Sequence, residues 1–306
     1  MARSERRWLV TRSFVAPTTI DEALGALADG ARPVAGGTDL VVGARQGKAP
    51  LPDALLAIHR IDELRGISDL SDGGLRFGAL ATHEDIVSHR TVLDRFTALA
   101  DASAIVGSHA TRAQGTIGGN VMNASPAMDT GGPLLCFDAT VTLRSTGGER
   151  TLTLDELWTG PGSTSAAPGE LLVAIDVPAR VAGTGSCYVR LEYRRQMEIA
   201  VVGATAVVTM EGNSVADARI AITALSPTIR RVAEAERALV ASGGVDEAAK
   251  LTAAASSPID DVRGSADYRR AMAEVIARRA INAAIARARG DHVPMPASPA
   301  LHGAAS

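Results

Sequence analysis

Two glycine-paired turns dominate the chemistry that this chain of 306 residues could carry. The first is Ala35-Gly36-Gly37-Thr38-Asp39-Leu40, between a short apolar strand and a short helix. Consecutive backbone N–H groups in such a turn can form an anion-binding nest. Glycine removes the side chains that would hold a phosphate away, and Thr38 adds a hydroxyl donor. Asp39 suits a helix start, its carboxylate turned from the anion. An ordinary strand-to-helix turn has the same local sequence. The second turn is Thr116-Ile117-Gly118-Gly119-Asn120, continuing through Asn123 and Ser125 to Asp129. Its amides and hydroxyls can bond a polar ligand in several directions, and Asp129 can accept from a sugar or polyol hydroxyl. A long loop capping a core is the alternative. Together the two turns suit a ligand with a diphosphate at its middle and polar groups on both sides, as in a dinucleotide.

A third candidate is Arg190-Leu191-Glu192-Tyr193-Arg194-Arg195. Strand alternation would send Arg190, Glu192 and Arg194 to one face. That face is either solvated or places a cation where negative charge develops on a reduced ring. There is no Gly-x-Gly-x-x-Gly, Walker loop or Gly-x-Ser-x-Gly elbow. The six histidines are scattered, and Cys136 and Cys187 are too few for a four-thiolate iron–sulfur or zinc site. They read as reduced core thiols of a cytoplasmic protein.

The elements that position these turns follow from pattern. Thr19-Ile20-Asp21-Glu22 reads as a capping box opening an amphipathic helix that Gly30 stops. Arg32–Ala35 and Ala54–Ile58 are strands. Hairpins are expected across Asp72-Gly73-Gly74 and Gly147-Gly148, and helices from Thr82 and over 96–105. Gly160–Gly169 reads as a surface loop. Strands then cover 171–177, 187–193, 201–210 and 216–224, and helices 229–241, 245–255 and 266–289. The expected division is residues 1–60, 61–178 and 179–290, with a flexible tail over 291–306. The fold class is α+β.

Composition is that of an ordinary globular chain, 46% hydrophobic and 21% charged. A net charge of −3 provides no global field for nucleic acid. No window has the apolar length of a transmembrane segment. Arg6-Arg7 is not followed by the apolar run of an export signal.

The stretch Arg112-Ala113-Gln114-Gly115-Thr116-Ile117-Gly118-Gly119-Asn120, about eighty residues after Ala35–Leu40, resembles the FAD-binding middle subunit of molybdenum hydroxylases. Arg194-Arg195-x-x-Glu198-Ile199-Ala200 and Asp261-Val262-Arg263-Gly264-Ser265-Ala266-Asp267-Tyr268-Arg269 are similar to that family too. The family includes the medium subunit of carbon monoxide dehydrogenase and the flavin domain of xanthine dehydrogenase. The resemblance implies two small α+β units holding FAD in a PCMH-type fold. A C-terminal α+β domain with a three-stranded antiparallel sheet and helices would close over it. Gly36, Gly37, Thr38 and Asp39 would line the diphosphate, with Ala35 and Leu40 as further cofactor-binding residues. Thr116, Gly118, Gly119, Asn120 and Ser125 would form the second FAD loop, Asp129 would meet the hydroxyl-bearing portion, and Arg190 would lie near the isoalloxazine. A partner with two [2Fe–2S] clusters and a large partner with the molybdenum cofactor are implied, in a dimer of heterotrimers, with electrons passing through FAD to an external acceptor. Thr38-Asp39 leans toward the xanthine-dehydrogenase-like group. A standalone FAD-dependent oxidoreductase is the rival reading; His83, Glu84 and Tyr193 are its acid–base candidates.

Overall fold

The computed structural model describes residues 13–303. Its first sheet is small and parallel. Strands β1 (Ser13–Val15), β2 (Arg32–Val34) and β3 (Ala54–Ala57) lie in the order β1-β3-β2. Helix α1 (Ile20–Ala28) buries Ile20, Ala23, Leu24 and Leu27, the spacing of one helical face. Thr19 accepts from the Glu22 N–H, but the Glu22 carboxylate accepts from the N–H of Thr18, so the capping box is only half formed. Helix α2 (Leu40–Arg45) follows β2. After β3 the chain makes two 3-10 turns, Ile58–Arg60 and Asp62–Leu64.

A second, antiparallel sheet contains β4 (Ile67–Asp69) and β5 (Leu75–Gly78), then β6 (Thr140–Ser145) and β7 (Gly148–Thr153), with β10 (Leu171–Val177) between the two hairpins. Helices fill the interval between the hairpins: α3 (His83–Ser88), α4 (Arg90–Arg95), α5 (Thr97–Ala104), α6 (His109–Arg112), α7 (Ile117–Asn123) and α8 (Gly131–Cys136). The short α9 (Leu154–Leu157) leads into the ribbon β8 (Trp158–Gly160) and β9 (Ser163–Thr164), so part of the expected surface loop is paired backbone. Thr82 and Asp85 form the complete capping box of α3. Phe77, Phe96, Phe137, Ile117 and Leu99 fill the core beneath.

The last sheet has four strands, β11 (Thr184–Leu191), β12 (Val202–Glu211), β13 (Ser214–Thr223) and β14 (Arg230–Arg231), not the three expected. The added edge is a two-residue pairing, too short to show a period. It delays α10 to Ala233–Ser242. Helices α11 (Val245–Ala254) and α12 (Ala266–Ala288) complete this layer, with Ala273, Ile276, Ala277 and Ala280 of α12 buried against the sheet.

The segment expected as a flexible tail is docked as far as it is described. Helix α13 (Ala297–Gly303) starts with Ala297 and Ser298 fully buried. The Ala297 N–H donates to the Asp101 carboxylate at 2.9 Å, and the Arg190 N–H donates to Ser298 Oγ at 2.9 Å. Arg287 binds Asp101 at 2.6 Å and the Pro294 carbonyl at 3.2 Å. Small residues and prolines suggested disorder; buried polar partners order the segment instead. Residues 304–306 lie outside the described part. Both cysteines are buried and free.

Candidate functional site

The first glycine turn leaves the carboxyl end of β2 in the parallel sheet. Gly37 sits at φ +69°, where a β-carbon is strained. Val41 N–H bonds to the Gly37 carbonyl at 3.0 Å and Gly43 N–H to that of Asp39 at 2.8 Å, which starts α2. Asp39 is the N-cap residue, but its side chain caps nothing. Among the described residues, the N–H groups of Gly36, Gly37 and Thr38 donate to no acceptor. Three successive unpaired donors are a local excess of positive dipole.

The second turn is built differently. Thr116 N-caps α7, its hydroxyl accepting from the Gly119 N–H at 3.1 Å. The Ile117 and Gly118 N–H groups donate to the carbonyls of Ala81 and Ala79, at 2.9 and 3.1 Å. A β-carbon on Gly118 would stand 2.5 Å from the Ala79 oxygen, so close packing on the strand end already requires glycine there. Asn120 Oδ1 accepts from Thr130 at 2.6 Å, and Ser125 Oγ from the Ala127 N–H at 3.3 Å. The N–H donors of Ile117, Gly118 and Gly119 are thus spent inside the protein, whereas those of the first turn are open.

The turns touch. A β-carbon on Gly36 would lie 1.9 Å from the Gln114 carbonyl oxygen, and the Thr38 hydroxyl lies 3.6 Å from the corresponding position on Gly115. Beside this contact is a cavity of about 350 Å³ lined by Ala35, Gly36, His59, Arg65, Leu80, Thr82, Ala113, Gln114 and Thr116. That volume lies in the range of small-molecule sites. Sequence reasoning missed His59, Arg65, Thr82 and Gln114 as lining residues. His59 and Arg65 carry no motif, and only the path of the 3-10 turns brings them to the cavity.

His83 lies under the second turn. Its N–H donates to the Gly115 carbonyl at 3.1 Å, and its ring approaches Ser103 Oγ at 3.5 Å. Burial, reinforced by the Arg112 charge, pushes the imidazole down to about 4, so it is neutral at pH near 7. Arg112 donates to the Val106 carbonyl at 3.2 Å and to His109 Nδ1 at 2.9 Å. Tyr193 is largely exposed, and its hydroxyl donates to the Arg263 carbonyl at 2.5 Å.

Asp129 and Arg190 are brought together, away from the cavity-lining residues. Arg190 has no exposed surface. It donates to the Asp129 carboxylate at 2.7 Å, to the Glu192 carboxylate, and to the Ile105 carbonyl at 3.1 Å. Tyr188 donates to the other Asp129 oxygen at 2.7 Å. Burial opposes the Arg190 charge, but Asp129, Tyr188 and Glu192 outweigh it and raise the guanidinium further. Burial also pushes the Asp129 carboxyl up, with Arg190 opposing. The face expected to meet solvent or ligand is enclosed because β11 packs against α5 and the end of α13 covers it. Arg194, in the loop after β11, is the exposed member of the series and pairs with Glu198 at 3.3 Å.

Comparison with known proteins places this geometry in a family. Residues 10–180 match the model described as the FAD binding domain in molybdopterin dehydrogenase, and residues 188–284 that of the CO dehydrogenase flavoprotein C-terminal domain. The carbon monoxide dehydrogenase medium chain of Hydrogenophaga pseudoflava is 34% identical over 281 residues, covering 90% of this chain and 97% of the relative. A xanthine dehydrogenase FAD-binding subunit of Escherichia coli O157:H7 is 28% identical over 287 residues, 91% of this chain and 97% of the relative. Overall identity is therefore higher to the first group, although Thr38-Asp39 leaned toward the second. A structure of carbon monoxide dehydrogenase from H. pseudoflava superimposes with a TM-score of 0.87 at 33% identity, covering 91% of this chain and 99% of that one. The chain belongs to the family of FAD-binding flavoprotein subunits of molybdopterin dehydrogenases, with the family's C-terminal domain following the FAD-binding one.

Proposed function

We propose that this chain is the FAD-carrying subunit of a molybdenum hydroxylase-type complex. In that complex it receives electrons from the [2Fe–2S] clusters of a small partner subunit and delivers them to an external acceptor. The large partner holds the molybdenum cofactor and oxidises the substrate, and two heterotrimers associate as a dimer. One observation carries the reading. Three consecutive N–H groups without partners among the described residues, at Gly36, Gly37 and Thr38, adjoin a cavity that the second glycine turn also borders. An unpaired row of donors is costly unless water or an anion meets it, and a diphosphate meets it well.

The residues fit FAD in chemical kind. Gly36, Gly37 and Thr38 offer N–H donors, and the Thr38 hydroxyl and the side-chain amide of Gln114 form no hydrogen bond with other described residues. The Ala113 N–H donates to the His109 carbonyl at 3.0 Å and the Gln114 N–H to that of Thr111 at 3.2 Å, which holds both residues at the cavity wall. Bound FAD supplies a redox centre able to exchange electrons singly or in pairs, while the protein supplies position and electrostatics. Asp129 and Arg190 bond to one another, and Arg190 also bonds to the Ile105 carbonyl, which ties that end of α5 to β11.

The test is purification of the chain with the proteins that accompany it. Flavin absorbance at one FAD per chain, together with bleaching of that absorbance when the complex is given the large subunit's substrate, is the expected result. A colourless complex refutes FAD carriage. A single active chain without partners supports the standalone oxidoreductase instead.

A further inference from the structure

We propose that Arg65, with His59 beside it, supplies the positive charge that selects a diphosphate-bearing flavin at the cavity of the first glycine turn. This rests on the FAD reading above and assigns a role to residues outside both glycine turns. Of the nine described lining residues, Arg65 alone carries a fixed charge and none is a carboxylate. The N–H groups of Gly36, Gly37 and Thr38 provide neutral dipoles only. A diphosphate in a part-buried site calls for a cation as well as donors, because charge-assisted hydrogen bonds are roughly twice as strong as neutral ones.

The backbone fixes where Arg65 stands. Leu64 is fully buried, and its carbonyl accepts from the Leu80 N–H at 2.7 Å; Leu80 is itself a lining residue. Arg65 N–H closes the 3-10 turn on the Asp62 carbonyl at 3.0 Å. The guanidinium donates to the carbonyl of His59, which sets the two side chains at one edge of the cavity. Its one carboxylate partner among the described residues, Asp62, lies 3.5 Å away with a side chain 95% exposed, and such a solvated pair is weak. The charge is therefore available to an anion in the cavity. Arg190, by contrast, is enclosed by Asp129 and Glu192.

The experiment uses the full chain, purified in its complex and stripped of flavin. FAD and riboflavin, which lacks the phosphates, are titrated at several salt concentrations. Arg65→Gln is expected to weaken FAD by about tenfold to a hundredfold and leave riboflavin unchanged. It should also flatten the salt dependence of FAD binding, since screening then has one charge fewer to act on. Arg65→Lys should restore most of the affinity. Because Arg65 also holds the His59 carbonyl, Asp62→Asn serves as a second variant at an exposed position. It should tighten FAD by about twofold to threefold. Equal loss of FAD and riboflavin in Arg65→Gln, or wild-type affinity and salt slope in both variants, overturns the assignment while FAD carriage stands. A wild-type complex that takes up no FAD overturns both.

Discussion

Lowering the pH should destabilise this protein through one buried imidazole. His83 is 1% exposed and its folded value is depressed from 6.5 to about 4. Above the unfolded value neither state binds the proton. Between the two values the unfolded chain binds it and the folded chain does not, so stability falls as pH drops through this window. Each unit is worth about 1.4 kcal/mol, so the whole window amounts to about 3 kcal/mol, of which about 2 kcal/mol is lost between pH near 7 and pH near 5. Carboxylates and other histidines also titrate there, so the measured quantity is a difference between proteins. Urea unfolding of wild type and His83→Gln, followed by far-UV circular dichroism at both pH values, isolates it. The variant is expected to start less stable and to lose about 2 kcal/mol less than wild type on acidification. The His83 N–H is bonded to Gly115, so the same acidification should loosen the Gln114–Thr116 wall of the cavity. A gap between the two proteins that is the same at both pH values refutes the reasoning: His83 would then be free to protonate in the folded state.

Two further outcomes test the site's construction. Gly36→Ala places a β-carbon against the Gln114 carbonyl and should cost about 1–3 kcal/mol or more in overpacking, read as a lower melting temperature with loss of bound flavin; an unchanged melt shows that the turns can separate freely. Asp129→Asn leaves the Arg190 guanidinium buried with less compensation and should lower stability by about 3–5 kcal/mol in urea unfolding at neutral pH; a loss below about 1 kcal/mol means that Glu192 suffices as counter-charge.

Local sequence chemistry determined much of this protein. The capping hydroxyls of Thr19 and Thr82, the Asp72-Gly73-Gly74 turn and the apolar period of α1 act over a few residues, so their elements could be read directly. The paired glycines marked the two turns that meet. Why they are glycine was not legible, because the reason lies across the chain: Gly36 lies against the Gln114 backbone and Gly118 against Ala79. Tertiary structure alone decided that β10 enters between two hairpins, that Arg190 is buried against Asp129, and that Arg65 reaches the cavity. It also ordered the described tail through Asp101 and Arg287, residues separated by 186 positions. Short-range hydrogen bonds and periodicity are written in neighbouring residues, whereas burial, charge compensation and cavity lining depend on segments that meet only once the chain has folded.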